Sequence, residues 1–135
     1  MIEGADPNPI DYLISKYFAE FPEFHSIYLF GSAVSGERHK NSDIDIAISR
    51  SSRLTLEEEL DIKSNLENLL RQKVDLVDLC GLEGLLVGEI LLKGKPLKMD
   101  LEYYLSKLRA YHNYMSSFYF PYLLPDRKSR ILSYF

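Results

Sequence analysis

At 135 residues and 15.7 kDa the chain has the length of one ordinary domain. With 46% apolar and 27% charged residues it is neither disordered nor fibrous, and no apolar run approaches the ~20 residues that cross a bilayer. A net charge of −4 argues against a partner as polyanionic as extended nucleic acid. The single cysteine, Cys80, excludes an intrachain disulfide and fits a reducing compartment. The first residues are acidic and lack the basic and apolar regions of a signal peptide, so the cytoplasm is the expected location.

In chain order, residues 10–21 are expected to form an amphipathic helix, because Ile10, Leu13, Ile14, Tyr17, Phe18 and Phe21 share a face. Pro22 ends it. The apolar run 26–30 halts at Gly31 and reads as a buried strand. A polar loop, 36–42, leads to Ile44, Ile46 and Ile48 alternating with Asp43, Asp45 and Ala47, a strand period. Thr55 and Glu58 make a capping box for a helix running to about Gln72. A third strand is expected over 74–79, and a second apolar helix over 82–92, stopped by Gly94 and Pro96. A long last helix should start near Asp100, which is placed to cap it, and continue to about Tyr119. The alternation predicts one small α/β domain in two or three layers, with its core at about 10–99.

The two ends of the chain differ in character. Residues 1–80 carry eight basic and fifteen acidic groups, whereas 81–135 carry eight and five. Ten of the 17 aromatic residues lie at Tyr103 or beyond. On the last helix Leu101, Tyr104, Leu105, Leu108, His112, Met115 and Tyr119 make one apolar stripe. A second stripe, which includes Tyr103, Tyr111, Tyr114, Phe118 and Tyr122, broadens it beyond what a small sheet needs. The plain alternative is a helix lying in its own core. The segment at about 100–135 is therefore expected to bind a partner, with Tyr111, Tyr114 and Phe118 as candidate contacts.

Three features carry chemistry. Asp43 and Asp45, two apart in a strand, project on one face with carboxylates ~5–7 Å apart. Like charges that close are unfavourable unless a cation lies between them. Oxygen ligands alone suit a hard ion such as Mg²⁺ rather than zinc. Asp75 interrupts an otherwise apolar strand, where a buried carboxylate costs several kcal/mol unless it is paired or metal-bound. A third carboxylate permits two metals. Gly31 allows close approach of a ligand, and a helix beginning at Ser32 would offer free N–H groups to phosphate oxygens.

Blander readings exist for each. Gly31-Ser32 could be a simple turn, Asp43 a turn residue, and Asp75 the partner of Lys73 or Arg71. Asp78, three residues on from Asp75, should face the other way. Glu57-Glu58-Glu59 fits a helix N-terminus favoured by the dipole. Gly31-x4-Gly36 is followed by Glu37-Arg38, so it is no P-loop. His25, His39, His112 and Cys80 are too scattered for a zinc site. Arg38 or Lys40 could contact phosphate or simply be solvated.

The ordered set resembles the nucleotidyltransferase superfamily that includes DNA polymerase β, whose hallmark is Gly-Ser, a spacer of about ten residues, Asp-x-Asp and a distant third Asp. It is most similar to the minimal nucleotidyltransferases, or MNT domains, of prokaryotic toxin–antitoxin pairs. The residues that carry the likeness are Gly31-Ser32-Ala33-Val34-Ser35-Gly36-Glu37, Ser42-Asp43-Ile44-Asp45-Ile46, Val74-Asp75-Leu76-Val77 and Ile90-Leu91-Leu92-Lys93-Gly94-Lys95-Pro96-Leu97. The resemblance spans roughly residues 10–120 and implies an α/β (α+β) fold, a short mixed β-sheet flanked by helices, with a long C-terminal helix. It implies catalytic and metal-binding roles for Asp43, Asp45 and Asp75, with Mg²⁺, two ions, as cofactor. Gly31, Ser32 and Ser42 would bind the nucleotide, ATP. It also implies a HEPN-domain ribonuclease toxin as partner, silenced by transfer of AMP to a tyrosine. The alternatives are an antitoxin that only binds, its metal site vestigial, and an enzyme acting on a small hydroxylated molecule such as an antibiotic.

Overall fold

Five consecutive buried residues make strand β1 (Ser26–Phe30) the centre of the fold. The structure, a computed structural model, describes residues 9–35 and 43–119. Strand β2 (Ile44–Ser49) runs antiparallel to β1, and β3 (Val74–Asp78) lies parallel to β2. A fourth strand, β4 (Lys95–Lys98), pairs antiparallel with the other side of β1. The sheet is therefore mixed, in the order β3-β2-β1-β4.

Alternation along the strands builds two cores. Ile27 and Leu29 join Ile44, Ile46, Ile48 and Val74 beneath helices α1 (Pro9–Phe18) and, beyond the short α2 (Ser32–Ser35), α3 (Leu56–Leu70), which insert Ile14, Phe18, Leu66 and Leu70. On the opposite face Tyr28, Phe30, Ala47 and Leu79 pack against Val87, Ile90 and Leu91 of α4 (Leu85–Lys93). Helix α5 (Leu101–Tyr114) adds Tyr104, Leu108 and Tyr111 to that second core. Helices thus cover both faces, as the α/β expectation requires.

The local signals place several boundaries well. Thr55 Oγ1 accepts from the Glu58 amide at 3.1 Å while Glu58 Oε1 accepts from the Thr55 amide at 2.9 Å, which is the expected capping box. Asp100 Oδ1 caps α5 by accepting from the Tyr103 amide at 3.0 Å.

Other boundaries moved, each for a physical reason. Helix α1 stops at Phe18, because Pro22 has no N–H to donate to the Phe18 carbonyl and disfavours helical geometry at Phe21. Helix α3 stops at Leu70, since Arg71 turns left-handed at φ 59°. Helix α4 begins at Leu85 rather than 82, after Gly84 at φ 99°. The last helix is α-helical to Tyr114 and then widens to a π-helical turn over Met115–Tyr119. Strand β4 is the element sequence reading missed: Lys95-Pro96-Leu97-Lys98 has no strand period, and only the vacant edge of β1 makes it one. The loop 36–42, with Arg38, Lys40 and Ser42, and everything beyond 119 lie outside the described residues.

Candidate active site

The site forms where β1 ends and β2 and β3 begin. Phe30 pairs with Asp45, and Asp45 pairs in register with Asp75, so two carboxyl groups stand on adjacent strands roughly 5 Å apart. Both face the α4 side, because their neighbours Ile44, Ile46 and Val74 belong to the opposite core. Burial and the neighbouring Asp75 make ionisation of Asp45 costly. Burial, then the Asp75 charge and hydrogen bond, then Asp43, push its pKa up to about 6.

Gly31 explains why Asp45 fits at all. It turns left-handed at φ 68°, and a Cβ there would fall far inside van der Waals contact with Asp45 Oδ2. Glycine is thus needed twice, for the backbone angle and for the space. Ser32 begins α2 directly afterwards, and the Val34 amide donates to the Gly31 carbonyl at 3.1 Å.

Sequence reasoning placed the burial on the wrong carboxylate. Asp75 is exposed, because β3 is an outer strand of the sheet, and the desolvation falls on Asp45 instead. Asp43 is exposed just before β2. Among the described residues no three carboxylate, imidazole or thiol side chains converge as a finished metal cage. The donor set nevertheless fits a hard divalent ion: Asp45 and Asp75 pair on adjacent strands, where a cation would offset the repulsion between their carboxylates, and the charge of Asp43 acts on the same site. Asp78 has a structural duty, accepting from the amides of Leu54 at 2.8 Å and Cys80 at 3.0 Å.

An open cleft of about 470 Å³ adjoins the pair. Asp45, Asp75 and Phe30 line it from the sheet, while Glu59, Leu60 and Lys63 line it from α3. Glu59 and Lys63 were missed as site residues. Their spacing of four puts them on one helix face, but nothing local says that this face meets the carboxylates.

Of the candidate partner contacts, Tyr111 is taken up internally. Its ring lies against Gly88 of α4, where any Cβ would collide with it. The Tyr114 hydroxyl lies beside Gly84, and Phe118 falls in the π-helical turn, its side chain outside the described part.

Comparison with known proteins agrees with this geometry. The chain is 38% identical over 76 residues to the protein adenylyltransferase MntA of Shewanella oneidensis, a match covering 56% of this chain and 55% of that protein. It therefore spans about half the length of that relative. It superposes on a toxin–antitoxin crystal structure with AMP-PNP at a TM-score of 0.71 and 29% identity, covering 91% of this chain and 96% of the other. A crystal structure of the MntA–HepT toxin–antitoxin gives a TM-score of 0.65 and 26% identity, covering 92% and 95%. The model of the family described as Polymerase beta, Nucleotidyltransferase matches residues 13–103, a span that holds Gly31, Ser32, Asp43, Asp45 and Asp75, and the chain belongs to that family.

Proposed function

We propose that this chain is the antitoxin of a HEPN/MNT toxin–antitoxin pair and that it transfers AMP from ATP to a tyrosine hydroxyl of its HEPN partner. The observation that carries the reading is the Asp45–Asp75 carboxyl pair set directly beneath Gly31. The likeness to an adenylyltransferase and to toxin–antitoxin structures supports it. Among the described residues no helix is long and apolar enough to cross a membrane, and the reading places the chain in the cytoplasm beside its partner.

In this reaction the acceptor oxygen bonds to the α-phosphorus of ATP, the bond from that phosphorus to the bridging oxygen breaks, and pyrophosphate leaves with the electron pair. Gly31 and Ser32 hold the β and γ phosphates, with Ser42 nearby in sequence. Asp75, exposed at the cleft, takes the proton from the attacking hydroxyl. Asp43, Asp45 and Asp75 would hold Mg²⁺, which neutralises triphosphate charge when bound. The chain's own contribution is positioning and a fixed field of carboxylates. Partner contact is assigned to the segment from residue 100 onward, Tyr114 and Phe118 included.

Labelled ATP, Mg²⁺ and a cognate HEPN protein test the proposal. Label should move to the HEPN protein, stop with EDTA, return with Mn²⁺ but not with Zn²⁺ alone, and be lost in Asp43→Asn and Asp45→Asn. Transfer at wild-type rate in both variants overturns the assignment of the site. The exposure of Asp43, and the lack of a converged three-ligand cluster among the described residues, favour a second reading, neutralisation by binding alone. Under that reading Asp45→Asn still silences the toxin.

A further inference from the structure

Asp75, Leu76 and Val77 are consecutive in β3, yet all three line the same cleft. Successive strand residues point to opposite faces, and here Leu76 belongs to one core and Val77 to the other. A cleft touching all three runs along the open edge of the strand. β3 is the outer strand of the sheet, so its far side has no strand neighbour. Helix α3 forms the opposite wall with Glu59, Leu60 and Lys63.

Gly31 and Ser32 are not part of this cleft. They follow β1, two strands in from the open edge, about 10 Å across the sheet. The cleft reaches inward to Phe30, the residue before Gly31, so a triphosphate held at Gly31-Ser32 meets its inner end and leaves the part beyond Asp75 open. In-line displacement needs this division, because the attacking oxygen must arrive opposite the departing pyrophosphate.

Lys63 is the cation in the lining. It is half-buried and forms no ion pair among the described residues, even with Glu59, Asp45 and Asp75 in the same cleft. With Asp45 and Asp75 engaged by the reacting groups, an ammonium that forms no ion pair of its own is free to bind an oxyanion arriving from outside.

We propose that the cleft along the open edge of β3 receives the acceptor, and that Lys63 is a specificity residue which binds an oxyanion flanking the acceptor hydroxyl. This rests on the AMP-transfer reading. The oxyanion has two sources of the same chemistry: the carboxylate of an acidic residue next to the acceptor tyrosine, or the phosphodiester left by a previous AMP transfer, where the attacking group is a ribose hydroxyl of the attached AMP.

The full chain carrying Lys63→Ala, Lys63→Gln or Lys63→Arg tests this against three acceptors. They are tyrosine amide, a blocked Glu-Tyr-Glu peptide, and tyrosine amide already adenylylated on its oxygen. Label transfer from ATP with Mg²⁺ gives kcat/KM, equilibrium titration gives the affinity of each acceptor, and AMP-PNP titration reports the nucleotide side. The Ala and Gln variants, at unchanged melting temperature, should lower the preference for an anionic over the neutral acceptor about tenfold, through KM. The Arg variant should keep it, and AMP-PNP affinity should stay within about twofold. The anionic acceptor that responds identifies the source. An unchanged preference overturns the proposal, as does an equal loss with the neutral acceptor. A tenfold loss of AMP-PNP affinity also overturns it, moving Lys63 to the triphosphate. If the wild-type chain transfers label neither to these three nor to a HEPN protein, the AMP-transfer reading fails. The titrations then decide the cleft alone: Lys63-dependent binding of an anionic acceptor upholds it, and its absence overturns it.

Discussion

Gly31 and Asp45 are one device made of two residues. Gly31→Ala places a methyl group on Asp45 Oδ2 and forces an L-residue to φ 68°, so it should cost roughly 1–3 kcal/mol of stability and more than tenfold in transfer. A melting temperature and rate equal to wild type would refute the close approach. The pKa of Asp45 makes a second prediction. Raised to about 6 in the fold from an ordinary 3.8, it means that the folded chain binds this proton more tightly than the unfolded chain. The stability it contributes is complete below about pH 4 and is lost as pH rises through 6. Asp45→Asn should therefore stabilise the metal-free chain at pH 8 by about 1 kcal/mol once solvent screening is allowed for, a shift of a few degrees. At pH 4 the gain should vanish. Equal gains at both pH values, measured by thermal unfolding, would show that the charge is not the cause.

At the scale of elements, α4 and α5 form the pair that roofs the active-site face. Tyr104 Oη donates to the Leu91 carbonyl at 3.3 Å, and the Tyr111 ring occupies the space left by Gly88. A mid-helix glycine ordinarily gains about 1 kcal/mol on replacement by Ala. Here the added methyl meets the Tyr111 ring, so Gly88→Ala should cost roughly 1–2 kcal/mol instead. In a Tyr111→Ala background the sign should reverse, and Gly88→Ala should stabilise by roughly 0.5–1 kcal/mol. Denaturant midpoints of the four chains decide it; the same effect in both backgrounds would exclude the contact.

For the whole molecule, the tail is less an appendage than its composition suggests. Tyr104, Leu108 and Tyr111 close the second core over Tyr28, Val87 and Ile90. Truncation after Met99 is therefore expected to unfold the domain rather than to detach a partner site. What α5 leaves outward is Leu101, 61% exposed, and Leu105, 50% exposed. Leu101→Glu and Leu105→Glu should each leave stability within about 0.5 kcal/mol and weaken binding of a co-expressed HEPN partner about tenfold or more. Wild-type affinity in both, by titration, would put the partner on another face.

The elements that sequence alone determined are those written in local patterns. Strand β1 runs from Ser26 to Phe30 because five apolar or small residues end at a glycine, and α3 and α5 start where Thr55 and Asp100 can cap them. The ordered Gly31-Ser32, Asp43-x-Asp45 and Asp75 motif was likewise legible, and so was the family. Tertiary structure alone decided the rest. β4 is a strand only because β1 had an edge to fill, and Tyr111 is core only because Gly88 makes room. Asp75 is exposed and Asp45 carries the raised pKa because β3 lies outside β2 in the sheet. Lys63 reaches the site only because α3 packs beside that outer strand. Periodicity and caps act over one or two turns of chain, whereas burial and charge depend on which distant segment lies alongside.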